Sequence, residues 1–448
     1  MATFNDLSSE LVELIAIQLD DPTLCSFRLT SRKCLVDAER LFMSCLNKLR
    51  FLNAPHSLNM LRAISDDSRY ASKLDTFRLS TYYIDPCAQC VPLDEHGLQA
   101  RKFAEYLQIQ IEYLAGDDMG LLSVILNKLP AITCIEVGEI CHIAQRDFSQ
   151  PYGMKTFEEE TGCRLYSDLL LHFATDQSPL THTFKSVLRA LSILRKPIKE
   201  LLAFRYLKNG VDSRGVNMDA MPQLKGYYRT HLKVVLADLR KLELQVRYHT
   251  LGVENVEWLT QFVTLAPALR YLHLSFDLTP HHGDYFPIGV PAAAALKMFC
   301  ETVRLPHLRR LEISCCRADA QDLITVYESH ATSLCTFTVN RVLLADGLWS
   351  EKFFPKLDVT VSNQCMLRVS WLMQLGPEPD DDTAWPDLDV LLFHTRPVSG
   401  CERCSNDESQ QYTPETCEHV SAIVDLSVDS RLPEYTLVAV GMPGGWWD

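Results

Sequence analysis

Proline recurs in one context along this chain, and that context limits the folds open to it. Leu129-Pro130-Ala131-Ile132 runs into Ile135 and Val137, and Ala266-Pro267-Ala268-Leu269 into Leu272 and Leu274. Leu305-Pro306-His307-Leu308 runs into Leu311 and Ile313, and Trp385-Pro386-Asp387-Leu388 into Leu391 and Phe393. Met221-Pro222-Gln223-Leu224 and Phe354-Pro355-Lys356-Leu357 are partial copies. Proline lacks an amide hydrogen and keeps its preceding residue out of the α region, so each copy ends any helix before it. The alternation that follows suits a short strand. Helical stripes stand upstream of two copies: Val256, Leu259, Phe262 and Val263 before Pro267, and Leu296, Phe299, Cys300 and Val303 before Pro306. The recurring unit is therefore helix, proline turn, short strand.

Such units bury their apolar faces by stacking on one another, which builds an α/β solenoid. Leu-x-x-Leu-x-Leu patterns elsewhere fit the same scheme: Leu74/Phe77/Leu79, Leu239/Leu242/Leu244 and Leu334/Phe337/Val339. The unit resembles leucine-rich repeats. Its later prolines stand 31 to 49 residues apart, wider than the ~20–29 of such repeats. Only Leu308/Leu311/Ile313 is followed by the expected cysteine, Cys316. An irregular solenoid is expected, with an irregular α+β domain as the alternative. The resemblance implies an extended surface for a protein partner.

The first fifty residues read as a separate helical module. Leu11, Leu14, Ile15 and Leu19 share one helical face. Asp21-Pro22 opens a second helix, with Asp suited to the cap and Pro to the first helical position. Thr30 and Ser31 cap a third, with the stripe Cys34, Leu35, Ala38, Leu41, Phe42, Cys45, Leu46 and Leu49. Three short helices make a marginal core that a partner usually covers. Leu7-Ser8-Ser9-Glu10-Leu11, then Ile15, Leu19, Leu24 and Arg28-Leu29-Thr30-Ser31-Arg32, ending in Leu41-Phe42, resembles the F-box motif. Ser8 stands where that family usually has proline. The resemblance implies docking on the Skp adaptor of an SCF-type ubiquitin ligase through Leu7, Ser8, Glu10, Leu11, Ile15, Leu19, Leu24, Leu29 and Leu41. A plain helical cap on a repeat protein is the alternative.

Charge is unevenly spread. The net charge is −14, and residues 376–448 hold fifteen Asp/Glu against three Arg, a balance of −12. Residues 185–247 hold fourteen Lys/Arg against five Asp/Glu, or +9, including Arg195, Lys196, Lys199, Arg205, Lys208, Arg229, Lys233, Arg240 and Lys241. A generic nucleic-acid binder carries a basic surplus over a whole domain, so none is expected here. The basic stretch is a solvated face, or a dock for the acidic tail or for an acidic or phosphorylated substrate.

Cys401-x-x-Cys404 with Cys417 and His419 could supply four zinc ligands, but Cys417 and His419 stand too close together for the usual spacing, so free thiols in a loop are expected and zinc is the alternative. Cys87, Cys90 and His96 are weaker still. The other cysteines read as buried, reduced thiols. No phosphate-binding glycine loop, His-Glu-x-x-His or Gly-x-Ser-x-Gly occurs, and glycine is sparse, at 18 of 448 residues. Neither a signal peptide nor a membrane-spanning run is read, so the expected location is cytoplasmic or nuclear.

The expected protein is α/β, with an F-box-like helical module over 1–50, a leucine-rich-repeat-like solenoid over 51–375 and an acidic segment over 376–448 that completes or caps it. No catalytic residue and no cofactor are expected. The expected partners are the Skp adaptor, the cullin ligase core and an unknown protein substrate. A repeat scaffold with no ubiquitin role is the competing reading.

Overall fold

Helix and strand alternate along most of the chain in a computed structural model. It describes residues 7–82, 84, 97–116, 118–138, 151–163, 179–204, 215–218, 221–247, 253–277, 292–344, 352–353, 366–374, 389–394, 424–425 and 436–439. These fall into two compact units, Met1–Gly210 and Val211–Asp448.

The first unit opens with α1 (Ser9–Ile17), α2 (Asp21–Arg28), α3 (Arg32–Asp37) and α4 (Glu39–Lys48). It continues with β1 (Phe51–Leu52), α5 (Pro55–Asp66), α6 (Ser68–Ala71), β2 (Thr76–Ser80), α7 (Leu98–Ala115) and α8 (Asp118–Lys128). It closes with β3 (Cys134–Val137), α9 (Met154–Thr161), α10 (Pro179–Leu194) and β4 (Glu200–Ala203). Strands β1 to β4 lie side by side in chain order, each pair parallel.

The second unit holds β5 (Val216–Asn217), α11 (Gly226–Leu236), β6 (Lys241–Arg247), α12 (Val253–Thr264), β7 (Tyr271–Asp277), α13 (Ala292–Thr302) and β8 (Arg310–Ala318). Then come α14 (Ala320–His330), β9 (Thr336–Leu344), β10 (Met366–Gln374), β11 (Asp389–His394), β12 (Val424–Asp425) and β13 (Thr436–Ala439). Strands β6 to β10 are parallel and again in chain order, and β5 pairs with β6. Strand β11 lies antiparallel on β10, β13 on β11 and β12 on β13. The fold class is α/β, as parallel neighbours joined by helices require.

One local device starts these strands. A buried aliphatic residue, Leu74, Ile132, Ile198, Leu239, Leu269, Leu308 or Leu334, sits three positions ahead of the first inward strand residue. Those inward residues then stack abreast across the sheet: Phe77, Ile135 and Leu201 in the first unit; Leu242, Leu272, Leu311 and Phe337 in the second. The next inward row is Leu244, Leu274, Ile313 and Val339. All of these side chains are buried. Burying each contributes about 1.5–3 kcal/mol. A second device locks the register, because one carbonyl accepts two amides from the next turn. Asp75 serves Thr133 and Cys134 in this way, and Arg240 serves Arg270 and Tyr271.

The proline reading needs correction in two places. Pro130, Pro267 and Pro306 lie in the turns ahead of β3, β7 and β8. Pro222 instead leads into helix α11, where Leu232, Val235 and Leu236 share a buried helical face and no strand alternation follows. Conversely, Pro197 stands ahead of β4, one residue closer to its strand than Pro130, Pro267 and Pro306 are to theirs. Pro355 and Pro386 lie outside the described residues.

The N-terminal module also departs from expectation. Four helices, not three, span Ser9–Lys48, because the third breaks at Ala38 (φ −91°, ψ 6°). The bend lets α3 pack on α1 and α2 while α4 reaches β2. The cap of α2 is Asp20, one residue before the expected one, and its Oδ1 accepts the Thr23 amide at 2.9 Å. Ser31 caps α3, accepting the Cys34 amide at 3.1 Å.

Candidate functional site

Helix α1 is apolar on both sides, and the module buries only one of them. Val12 and Ala16 face inward. Ala16, Leu24 and Ala38 form the module's core, with Leu19, Phe27, Leu41 and Cys45 packed against it. The other side carries Leu11, 48 % exposed, Leu14, 57 %, Ile15, 38 %, and Ile17, 50 %. Leu29, in the turn after α2, is 84 % exposed, and Val36 on α3 is 69 % exposed.

The nine residues expected to meet the adaptor therefore divide. Leu24 is core, and Leu19 and Leu41 are packed on that core. Leu7 is half-buried. Ser8, Glu10, Leu11, Ile15 and Leu29 are exposed. Ser8 caps α1 by its extended backbone alone. Hydrogen bonds from its own backbone and then from Ser8 hold the Glu10 carboxyl below its usual range.

Charged contacts fix the module's rigid side. The buried Arg28 guanidinium lies 3.6 Å over the Phe42 ring and meets Glu39 at 2.6 Å. Lys73, from beyond α6, reaches the same Glu39 at 3.4 Å. Arg40 pairs with Glu13, and Lys33 with Asp37 at 2.9 Å. The pairs of Glu39 and Arg40 tie α4 to α1, to α2 and to the start of the sheet region, while Lys33–Asp37 lies within α3.

Sequence reasoning missed a buried polar cluster in the first unit. Asp118, the first residue of α8, accepts from His182 at 2.9 Å, from Ser186 at 3.1 Å and from Asn53 at 2.9 Å. Aspartate, histidine and serine suggest a relay, but the geometry does not support one. Ser186 Oγ and Asp118 Oδ2 both meet the same nitrogen, Nε2 of His182, and Ser186 also donates to Asp118. A nucleophile relay uses the two ring nitrogens separately. The cluster joins the N-terminus of α8 to α10, with the carboxylate placed where the helix dipole favours it. His182 and Ser186, four residues apart, were the available signal.

Most of the basic stretch stands outside any cluster. Arg195, Lys199, Arg229, Lys233 and Arg240 are exposed, and Lys241 pairs with Glu243 at 2.9 Å. Arg205 and Lys208 lie outside the described residues. Lys196 is half-buried and donates to the carbonyls of Leu126, at 2.9 Å, and of Leu129, closing the end of α8. Burial lowers its pKa to about 8.

Among the described residues no group of three or more His, Cys, Asp or Glu is placed to hold a metal ion. Cys401, Cys404, Cys417, His419, Cys87, Cys90 and His96 lie outside them. Cys300 and Cys316 are buried, and burial pushes both thiols up, away from the reactive thiolate. Among the described residues no helix is long and apolar enough to cross a membrane.

No protein-family model matches the chain. Nor does any curated protein match it at a significant level. The functional reading therefore rests on the residues themselves.

Proposed function

We propose that this chain is a substrate receptor of an SCF-type ubiquitin ligase. Its N-terminal helices dock the Skp adaptor, and its repeat region, read as an irregular leucine-rich-repeat-like solenoid, holds a protein substrate. The observation that carries this reading is the uncovered side of α1, with Leu11, Leu14, Ile15 and Ile17 facing solvent and Leu29 beyond them. A helix normally turns its large apolar residues to the core, and an exposed apolar patch marks an interaction surface. The same stretch carries the F-box resemblance. The role asked of the chain is tethering: holding a substrate lysine near a charged conjugating enzyme raises its effective concentration, with no catalytic residue of the chain's own.

The test is a pull-down of the full chain on purified Skp adaptor, beside Leu11→Asp/Ile15→Asp. Both positions are exposed, so the variant folds, and circular dichroism checks that it does. Two charges carried into an apolar interface are expensive to bury, so the expected result is capture of wild type and loss of the variant. Wild type that fails to bind leaves a repeat scaffold with no ubiquitin role, and a folded variant that binds equally well moves the adaptor contact off this face of α1.

A further inference from the structure

Three arginines occupy one repeat position in three consecutive repeats of the second unit. Arg240, Arg270 and Arg309 each stand immediately before a strand, β6, β7 and β8. Each is the residue whose carbonyl accepts two amides from the next repeat. The Arg240 carbonyl takes Arg270 and Tyr271, both at 2.9 Å. The Arg270 carbonyl takes Arg309 at 2.8 Å and Arg310 at 2.9 Å, and the Arg309 carbonyl takes Cys335 at 2.7 Å and Thr336 at 2.9 Å. Their backbones are therefore fixed in one column at the ~4.8 Å spacing of paired strands.

All three side chains are exposed, and among the described residues none has an ion-pair partner. The neighbouring cations differ. Lys241 is held by Glu243, and Arg310 lies beside Glu312 at 3.5 Å and over the Tyr271 ring at 4.8 Å. Glu243 and Glu312 are thus engaged by other cations, and among the described residues no acid pairs with the three guanidiniums. Like charges abreast on neighbouring strands are unfavourable. A rigid column of this kind suits an anion with several oxygens, because the planar guanidinium offers paired donors and the backbone needs no ordering on binding.

We propose that the Arg240–Arg270–Arg309 column is an anion-recognition site for a peptide segment bearing clustered phosphorylated or acidic side chains. That this segment belongs to the ligase substrate rests on the reading above; the binding itself does not. A short segment fits better than a nucleic acid. The chain's net charge of −14 opposes a long polyphosphate, and the ring of Tyr271, next to Arg270 in the chain, is already stacked with two cations, Lys241 and Arg310.

The test is fluorescence anisotropy of the full chain with a dye-labelled peptide bearing three adjacent phosphoserines in a Gly-Ser background. Wild type binds, and binding weakens as salt is raised. Arg240→Gln/Arg270→Gln/Arg309→Gln weakens it about tenfold or more. The corresponding triple lysine variant, which keeps the charge but loses the paired donors, falls between the two. The glutamine variant should melt no lower than wild type, since it removes repulsion only. Absence of wild-type binding, or equal binding by the glutamine variant, overturns the proposal. An RNA oligomer of matched charge that binds more tightly than the phosphopeptide also overturns it. Skp capture is read in parallel. A glutamine variant that still binds Skp separates the two surfaces, and phosphopeptide binding without Skp capture keeps this site while removing the ligase role.

Discussion

His273 is the residue whose protonation folding opposes most plainly. It is buried on β7, with Nε2 2.9 Å from Ser314 Oγ and 3.6 Å from Glu312. Glu243 favours its charged form, and Arg310 and Lys241 oppose it, but burial dominates and lowers its pKa to about 4. His330 shifts the same way: its Nδ1 donates to the Val326 carbonyl at 2.7 Å, leaving Nε2 to accept the Leu305 amide at 3.1 Å. A ring that accepts through one nitrogen must stay neutral. With a folded pKa below the unfolded value, stability is complete above about pH 6.5 and is lost as pH falls toward 4, where the unfolded chain takes up the proton first. Denaturant unfolding across that window should show a loss approaching about 3 kcal/mol from His273. His273→Gln should flatten the slope, and an identical slope in the variant would sink the argument. No sequence signal marks His273, because its state is set by β6 and β8 on either side. Leu11 and Ile15 were legible as apolar and helical. Their exposure was not, since Val12 and Ala16 compete for the same core and periodicity alone cannot rank two apolar faces.

At the scale of elements, the strands were the legible part. An aliphatic residue followed at three and five positions by two more apolar residues marks β2, β3, β6, β7, β8 and β9, and those residues are buried in the structure. The break between α3 and α4 was not legible, because Ala38 is a good helix former and its bend answers to packing on α1 and β2. Glycines show how tightly successive strands close. Gly138, just after β3, has φ +109°, and a Cβ there would stand 2.1 Å from the Phe204 carbonyl oxygen. Gly116, which ends α7, has φ +114° and open space around it. Gly138→Ala should therefore cost about 3 kcal/mol or more, from strain and overlap with backbone that cannot give way. Gly116→Ala should cost about 1–2 kcal/mol, from strain alone. Unfolding midpoints at constant slope read both, and equal losses would mean that the end of β4 does not press on Gly138.

At the scale of the whole molecule, the acidic C-terminal segment does two jobs, which one deletion removes together and one fusion separates. Its strand β11 covers β10, with Phe393 abreast of Val369 and Val390 abreast of Met373. It also carries most of the chain's net charge, because residues 1–375 hold only −2 of the −14. A chain ending at Leu375 therefore loses the cover of its last parallel strand and nearly all of its long-range repulsion together. An open strand edge templates pairing with another chain, and a near-neutral surface does little to prevent the encounter. The truncated chain should self-associate in light scattering at concentrations where the full chain keeps its own molecular mass. Appending an unrelated acidic tail of equal charge restores the repulsion but not the cover. If that fusion still self-associates, the uncovered β10 edge is the cause; if it stays dispersed, charge alone kept the chains apart. A truncated chain that keeps both its mass and its unfolding midpoint would show that β11 protects nothing, and β10 would then be the natural edge of the second unit.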